Sequence, residues 1–184
     1  EEILRKNISL LPIPVKQMTH AGRINNIEFN PDGNIFVTAG ADGSACAWQV
    51  SDGKNLFCTD SPGAVNDAVF SPTEKIIVTG DSKGNVLIIN ADDGTIEQQI
   101  ELGSPIRDVD IQKSGRFAAV TSDNGRITLI DLKTRVKSGI SLEGANIKFA
   151  SFSPNGLQIA TGSGNGVVSL WTLNQPNKPI DTRK

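Results

Sequence analysis

Apolar residues in this chain come in short runs. Ile35-Phe36-Val37-Thr38, Ala45-Cys46-Ala47-Trp48-Gln49-Val50 and Asn55-Leu56-Phe57-Cys58-Thr59 follow one another, separated by the polar breaks Asp42-Gly43-Ser44 and Ser51-Asp52-Gly53-Lys54. Runs this short, β-branched or aromatic and bounded by Gly, Pro, Asn and Asp, predict strands rather than helices. Asp-Gly pairs favour tight hairpins, and Pro31-Asp32-Gly33 joins a preset φ to a residue that tolerates positive φ. Ile24, Ile27 and Phe29 before that turn supply the first of four strands in the unit. The same order returns in Ile76-Ile77-Val78-Thr79, Val86-Leu87-Ile88-Ile89 and Ile96-Glu97-Gln98-Gln99-Ile100, and again from Phe117 to Ile140. A single turn at Glu2 to Lys6 is the only helical signal.

The unit repeats in register. Phe29, Phe70, Ile111 and Phe152 stand 41 residues apart, and three of them lead into Pro31, Pro72 and Pro154. Gly43, Gly84, Gly125 and Gly166 keep the same spacing, as do Trp48, Ile89, Ile130 and Trp171. Three markers held over four copies without an insertion identify a repeat. The boundaries that follow are an N-terminal segment 1–19 and units at 20–60, 61–101, 102–142 and 143–184, the last with an incomplete fourth strand. One such unit cannot bury both faces of its own sheet, so stacking is required.

Composition then removes alternatives. No apolar run approaches the roughly 18–20 residues of a membrane helix, so membrane insertion is not expected. A net charge of −2 and a pI near 5.4 give no basic field for a phosphate backbone, so direct nucleic-acid contact is not expected either. One His leaves little for multi-histidine metal or Ser/His chemistry, and the excess among the 18 Gly is the recurring turn residue of the units.

A period near 40, four strands to a unit and a third strand ending in Trp resemble the WD-repeat (WD40-type) β-propeller family. The resemblance covers about residues 20–183. It implies an all-β propeller with four recognisable four-stranded blades. It also implies a hydrogen-bonded chain in the first blade, from His20 through Thr38 and Asp42 to Trp48. The other copies depart from that set. Lys83, Asn124 and Asn165 replace the Asp; Ser61, Leu102 and Glu143 stand where His20 does; Trp returns only at Trp171; Thr79 and Thr161 keep the hydroxyl that Val120 loses. The network is expected complete in one blade and absent or partial in three.

No catalytic, cofactor or metal residues emerge, and an enzyme is not expected. His20 and Asp42 share their register with no nucleophile. Asp92-Asp93-Gly94 aligns with the turn Ser51-Asp52-Gly53, while Asp108 and Asp110 form a second acidic pair. Gly162-Ser163-Gly164-Asn165-Gly166 has neither the following helix nor the Lys-Ser/Thr of a phosphate loop. With the Asp52-Gly53 hairpin taken as symmetric, Cys46 faces Thr59 and Ala47 faces Cys58. The two thiols then lie on opposite faces, too badly aimed to bridge. They are read as free thiols of a reducing compartment, which points to an intracellular protein of the cytoplasm or nucleus.

The ends bear on ring closure. Pro14 to Thr19 occupies the place of an outer strand, whereas the last copy would draw its own from Asn177 to Asp181, where Pro179 removes a donor. Glu1 in place of Met favours a piece of a longer chain. Three closures stay open: part of a larger ring, favoured by the resemblance; a half-ring completed by another copy or another protein; and a four-bladed ring. The family resemblance implies a protein–protein interaction scaffold within a multiprotein complex. Loops entering each first strand carry Asn25, Asn66, Arg107 and Lys148, a neutral-to-basic rim suited to an acidic or phosphorylated peptide. The alternative is a structural assembly subunit whose open edge another chain completes by strand addition, as a homo- or hetero-oligomer.

Overall fold

A computed structural model of the chain describes residues 16–143, 146–173 and 181–183. The turn expected at Glu2 to Lys6 lies outside them. The described residues form strands and no helix. The first sheet takes β1 (Ile24–Phe29), β2 (Ile35–Gly40), β3 (Ser44–Gln49) and β4 (Asn55–Asp60). The second takes β5 (Val65–Phe70), β6 (Ile76–Asp81), β7 (Asn85–Asn90) and β8 (Ile96–Glu101). The third takes β9 (Ile106–Ile111), β10 (Phe117–Ser122), β11 (Arg126–Asp131) and β12 (Val136–Glu143), and the fourth β13 (Ile147–Phe152), β14 (Gln158–Ser163), β15 (Val168–Thr172) and β16 (Asp181–Arg183). Each sheet is an antiparallel meander in chain order.

The turns follow the repeat chemistry. Gly43, Gly84, Gly125 and Gly166 all take φ between 78° and 90°, a region closed to most side chains, and each closes the hairpin between second and third strands. At the outer hairpin Gly53 and Gly94 take positive φ, but the third copy puts Arg135 there, at φ 61°. Its guanidinium reaches Glu97 and Glu74 of the second blade, an ion-pair set that offsets the strained backbone.

Core residues sit between sheets. The face of the first blade carrying Val37, Ala39 and Ala45 packs on Ala68, Phe70, Ile77, Leu87 and Ile89 of the second. Val78, Val86 and Ile88 then meet Val109, Val120 and Ile130 of the third, whose Ala119, Ile127 and Leu129 meet Ala150, Ile159 and Trp171 of the fourth. Each fully buried Ile, Leu or Val is worth about 1.5–3 kcal/mol against exposure. The second and third strands of the inner blades are therefore buried on both faces, which is why they read as continuous apolar runs rather than alternating ones.

Along the inner edge β1 packs beside β5, β5 beside β9 and β9 beside β13. The sheets do not close into a ring among the described residues.

Three details differ from expectation. Residues 16–19 lie outside any strand, and Pro14 and Val15 lie outside the described residues. The last sheet has a short fourth strand of three residues, placed later than Asn177 to Asp181: β16 pairs Asp181 with Leu170 and Arg183 with Val168, beyond Pro179, where backbone donors are available again. The cysteines also reverse their predicted geometry. The outer hairpin closes between Gln49 and Lys54, and Leu56 bulges out of β4, so Cys58 falls directly opposite Cys46. A one-residue shift moves a side chain to the other face. The two sulfurs are joined, with Cα atoms 4.1 Å apart, and the reading of two free thiols is overturned.

Candidate functional site

The polar network of the first blade is built from four elements. β2 presents Thr38, β3 presents Trp48, the turn between them holds Asp42, and the segment before β1 brings in His20. Trp48 Nε1 donates to Thr38 Oγ1 at 2.8 Å, and Thr38 Oγ1 lies 2.5 Å from His20 Nε2. His20 Nδ1 lies 3.1 Å from Asp42 Oδ2, which also accepts the amides of Ala21 and Gly22. An imidazole protonated on Nδ1 makes every link run one way: Trp to Thr, Thr to His, His to Asp. Burial works to raise the Asp42 carboxyl, but the Ser44 hydroxyl and amide and His20 hold it well below the usual carboxylate range. Gly40 makes the room: a Cβ there would meet Asp42 Oδ1 and His20 Nδ1 at 2.2 and 2.6 Å. The Ser44 hydroxyl also donates to Asp42 Oδ1 at 2.8 Å, so the set ties the segment before β1, the Asp42 turn, β2 and β3 of one blade together.

The geometry is that of a recognised repeat. The family model described as WD domain, G-beta repeat, matches residues 13–49 and 137–172, which include the first blade's network and the Thr161–Trp171 pair of the fourth. Over those two stretches the chain carries WD40-type repeats. A similar curated protein is the one named Small ribosomal subunit protein RACK1 of Caenorhabditis elegans, 29% identical over 51 residues. That stretch is 28% of this chain and only 16% of the relative's length.

The WD40 network varies from blade to blade. In the fourth, Trp171 Nε1 donates to Thr161 Oγ1 at 3.0 Å, the inner half of the chain. In the second, an acid missed in the sequence takes over. Asp81 stands where Gly40 does and fills the space that Gly40 leaves open. It accepts from the Ser61 hydroxyl, from the amides of Gly63, Lys83 and Asn85, and from the Asn85 side chain. The signal was present: Ser61 at the His20 position and an Asp two residues ahead of Lys83. Thr79 keeps the hydroxyl with Ile89 in place of Trp, and its buried Oγ1 has no hydrogen-bond partner.

Asn25, Asn66, Arg107 and Lys148 are placed together by one device: each is the extra residue of a bulge in the first strand of its blade. A bulge re-aims its side chain away from the sheet. The amides of Asn25 and Asn66 donate across to Val65 O and Ile106 O of the next blade, each at 2.7 Å. Arg107 forks onto Asp123 at 2.5 Å, and Lys148 reaches the same carboxylate from the fourth blade at 3.0 Å. The Arg107 fork, reinforced by Lys148, pulls the Asp123 carboxyl down to about 2.

Sequence reasoning also missed a ladder of acids inside the groove. Glu28 accepts the amide of Phe70, Asp67 that of Val109, Asp108 that of Ala150 and Asp110 that of Phe152, each a first-strand amide 42 residues on in the next blade. First strands are sheet edges with unpaired N–H groups, and a carboxylate from the preceding blade satisfies them. Asp67 also accepts the Asn26 side chain. Desolvation raises Glu28 to about 7 and Asp67 to about 6, and it raises Asp108 as well. The acids border a groove of about 560 Å³ whose apolar lining includes Ile27, Phe149 and Val168. Among the described residues no cluster of His, Cys, Asp and Glu is arranged to hold a metal. No helix there is long and apolar enough to cross a membrane.

Proposed function

We propose that this chain is a rigid protein–protein interaction scaffold acting within a multiprotein complex. WD40 repeats generally mediate such scaffolding. The observation that supports it here is the inter-blade bonding: acids and bulge amides tie each first strand to the next, so the groove and its rim are ordered before any partner arrives. Binding a preordered surface loses little conformational entropy. The relative's name refers to the small ribosomal subunit, and membership of a large assembly is the parallel drawn; no catalytic role is proposed. On the rim, Arg107 is the most open of the cations, with half its side chain exposed, and an acidic or phosphorylated peptide is the ligand its charge suits.

Affinity capture tests this reading. Arg107→Ala with Lys148→Ala is expected to weaken capture of partner proteins at least about tenfold, with Asp123→Ala added as a control that removes the charge left behind. Recovery unchanged by the double variant sinks the rim, and failure of the intact chain to recover any partner sinks the scaffold. The Cys46–Cys58 bond removes the free-thiol argument for an intracellular location.

A second reading is favoured by the blade ends: the chain is an assembly subunit completed by another chain. Ile27 and Phe29 at one end and Val168 at the other are each more than half exposed.

A further inference from the structure

The disulfide of the first blade joins two sulfurs of unlike access. Cys46 is 3% exposed, whereas Cys58, directly opposite it on β4, is an exposed residue. Both lie on the side of the sheet that carries Thr38 and Trp48. The exposure of Cys58 does not hang on what packs against that side. One repeat on, Leu87 and Gln99 pair in the same way, and there the first blade does pack on their side of the sheet. Leu87 is buried by it, yet Gln99 stays exposed. An outer strand at this position lies beyond the reach of a neighbouring blade. The surroundings also suit a bond that opens and recloses inside a folded blade. Cys46 Sγ lies 3.7 Å from Ser44 Oγ, an acceptor for the thiol it becomes on reduction. The Asn55 amide donates to Cys58 Sγ at 3.3 Å. β4 has other ties: its ladder to β3 runs from Ser44–Asp60 to Trp48–Asn55, and Thr59 donates to Gly94 O of the second blade at 2.6 Å. The second blade holds β8 on β7 over the same span with no covalent link.

We propose that Cys58 is a thiol-exchange site, the sulfur at which a small aliphatic thiol of the glutathione type enters, with Cys46 as the buried sulfur that later expels it. The incoming thiolate attacks Cys58 Sγ. A new S–S bond forms as the old one breaks, and its electron pair leaves on Cys46 Sγ, which takes a proton from water. The products are a mixed disulfide on Cys58 and a thiol at Cys46. Attack by the Cys46 thiolate on Cys58 Sγ reverses the step and releases the small thiol, so the cycle needs no further oxidant. Exposure selects the sulfur, because burial closes the approach to Cys46 while Cys58 stands open. Exposed disulfides are the labile ones, and buried ones resist exchange. The ladder and the Thr59 bond keep β4 in place while the clip is open.

Trapping on the whole, folded chain tests this. The protein is incubated with reduced glutathione, samples are capped early with N-ethylmaleimide, and the cysteine peptides are mapped by mass spectrometry. Glutathione on Cys58 with maleimide on Cys46 is expected to exceed the reverse pattern at least about tenfold. The opening rate should change less than about twofold in urea too dilute to unfold the protein, since attack needs no unfolding. Treated with oxidised glutathione, Cys46→Ser should hold a lasting adduct on Cys58, because no buried thiol remains to expel it. Cys58→Ser, while its circular dichroism is unchanged, should take none on Cys46. The reverse or an equal pattern in the unaltered chain overturns the proposal. So does a bond that glutathione leaves closed in the folded protein, or a rate that climbs with urea in step with unfolding; either result makes the disulfide a purely structural clip. If Cys46→Ser does not fold, the pattern and the urea series of the unaltered chain decide alone.

Discussion

At the scale of single residues, one hydroxyl has opposite worth in two blades. Thr38 Oγ1 joins Trp48 Nε1 to His20 Nε2, so Thr38→Val leaves two buried ring nitrogens without a partner. The expected cost is about 2–3 kcal/mol, read from the urea midpoint at unchanged m. Thr79 occupies the same repeat position with no partner for its hydroxyl. Thr79→Val should therefore be neutral or raise stability by up to about 1 kcal/mol. Equal losses in the two variants would show that the Thr38 chain contributes nothing special. The motif of the first blade was legible as residue types at repeat positions. Its substitute in the second blade was not, because Asp81 reaches the same space from a position where the first blade has Gly40.

At the scale of elements, bulges decide what the strand pattern leaves open. The outer-strand bulge at Leu56 recurs at Glu97, between the pairs Ile88–Gln98 and Ile89–Ile96. In the first blade it brings Cys58 opposite Cys46 and lets the disulfide clip β4 to β3. With the cysteines 12 positions apart in sequence, reduction or Cys58→Ser should cost about 2–3 kcal/mol, seen as a lower melting temperature with dithiothreitol present. The denatured, unreduced chain should show no titratable thiol; two free thiols there would remove the clip. The inner-strand bulges explain the rim in the same way. Asn25, Asn66, Arg107 and Lys148 were legible as equivalent positions, but their partners in neighbouring blades were not, since a bulge is a backbone choice that no residue type at those positions demands.

At the scale of the whole molecule, the acid ladder links stability to pH. Burial raises Glu28 to about 7 and Asp67 to about 6, so the folded protein holds protons that the unfolded chain has released. Their contribution is complete below their ordinary values of about 4 and is lost as the pH climbs to about 7. Asp42, Asp81, Asp123 and Asp131 are held low and act in the opposite sense, their contribution present above the ordinary range and lost in acid. Stability should therefore peak near pH 4–5 and fall by roughly 5 °C in Tm by about pH 7, taking about 2 kcal/mol for the two raised acids after screening. Glu28→Gln should flatten that fall in a scanning-fluorimetry series. A Tm that rises steadily from pH 5 to 7.5 would count against the ladder.

The sequence by itself determined the unit, its 41-residue period and the all-β class. These rest on local turn chemistry and on the length of apolar runs, both written in neighbouring residues. It also marked the Thr38, Asp42 and Trp48 positions, because the repeat register lines them up. Tertiary structure alone decided which face each side chain takes past a bulge, and so joined Cys46 to Cys58. It alone showed that Glu28, Asp67, Asp108 and Asp110 satisfy amides 42 residues away. Such bonds depend on the rotation of one blade against the next, a long-range geometry that no local pattern encodes. The same stacking leaves Ile27 and Val168 uncovered at the two ends, although their equivalents in the other blades are buried.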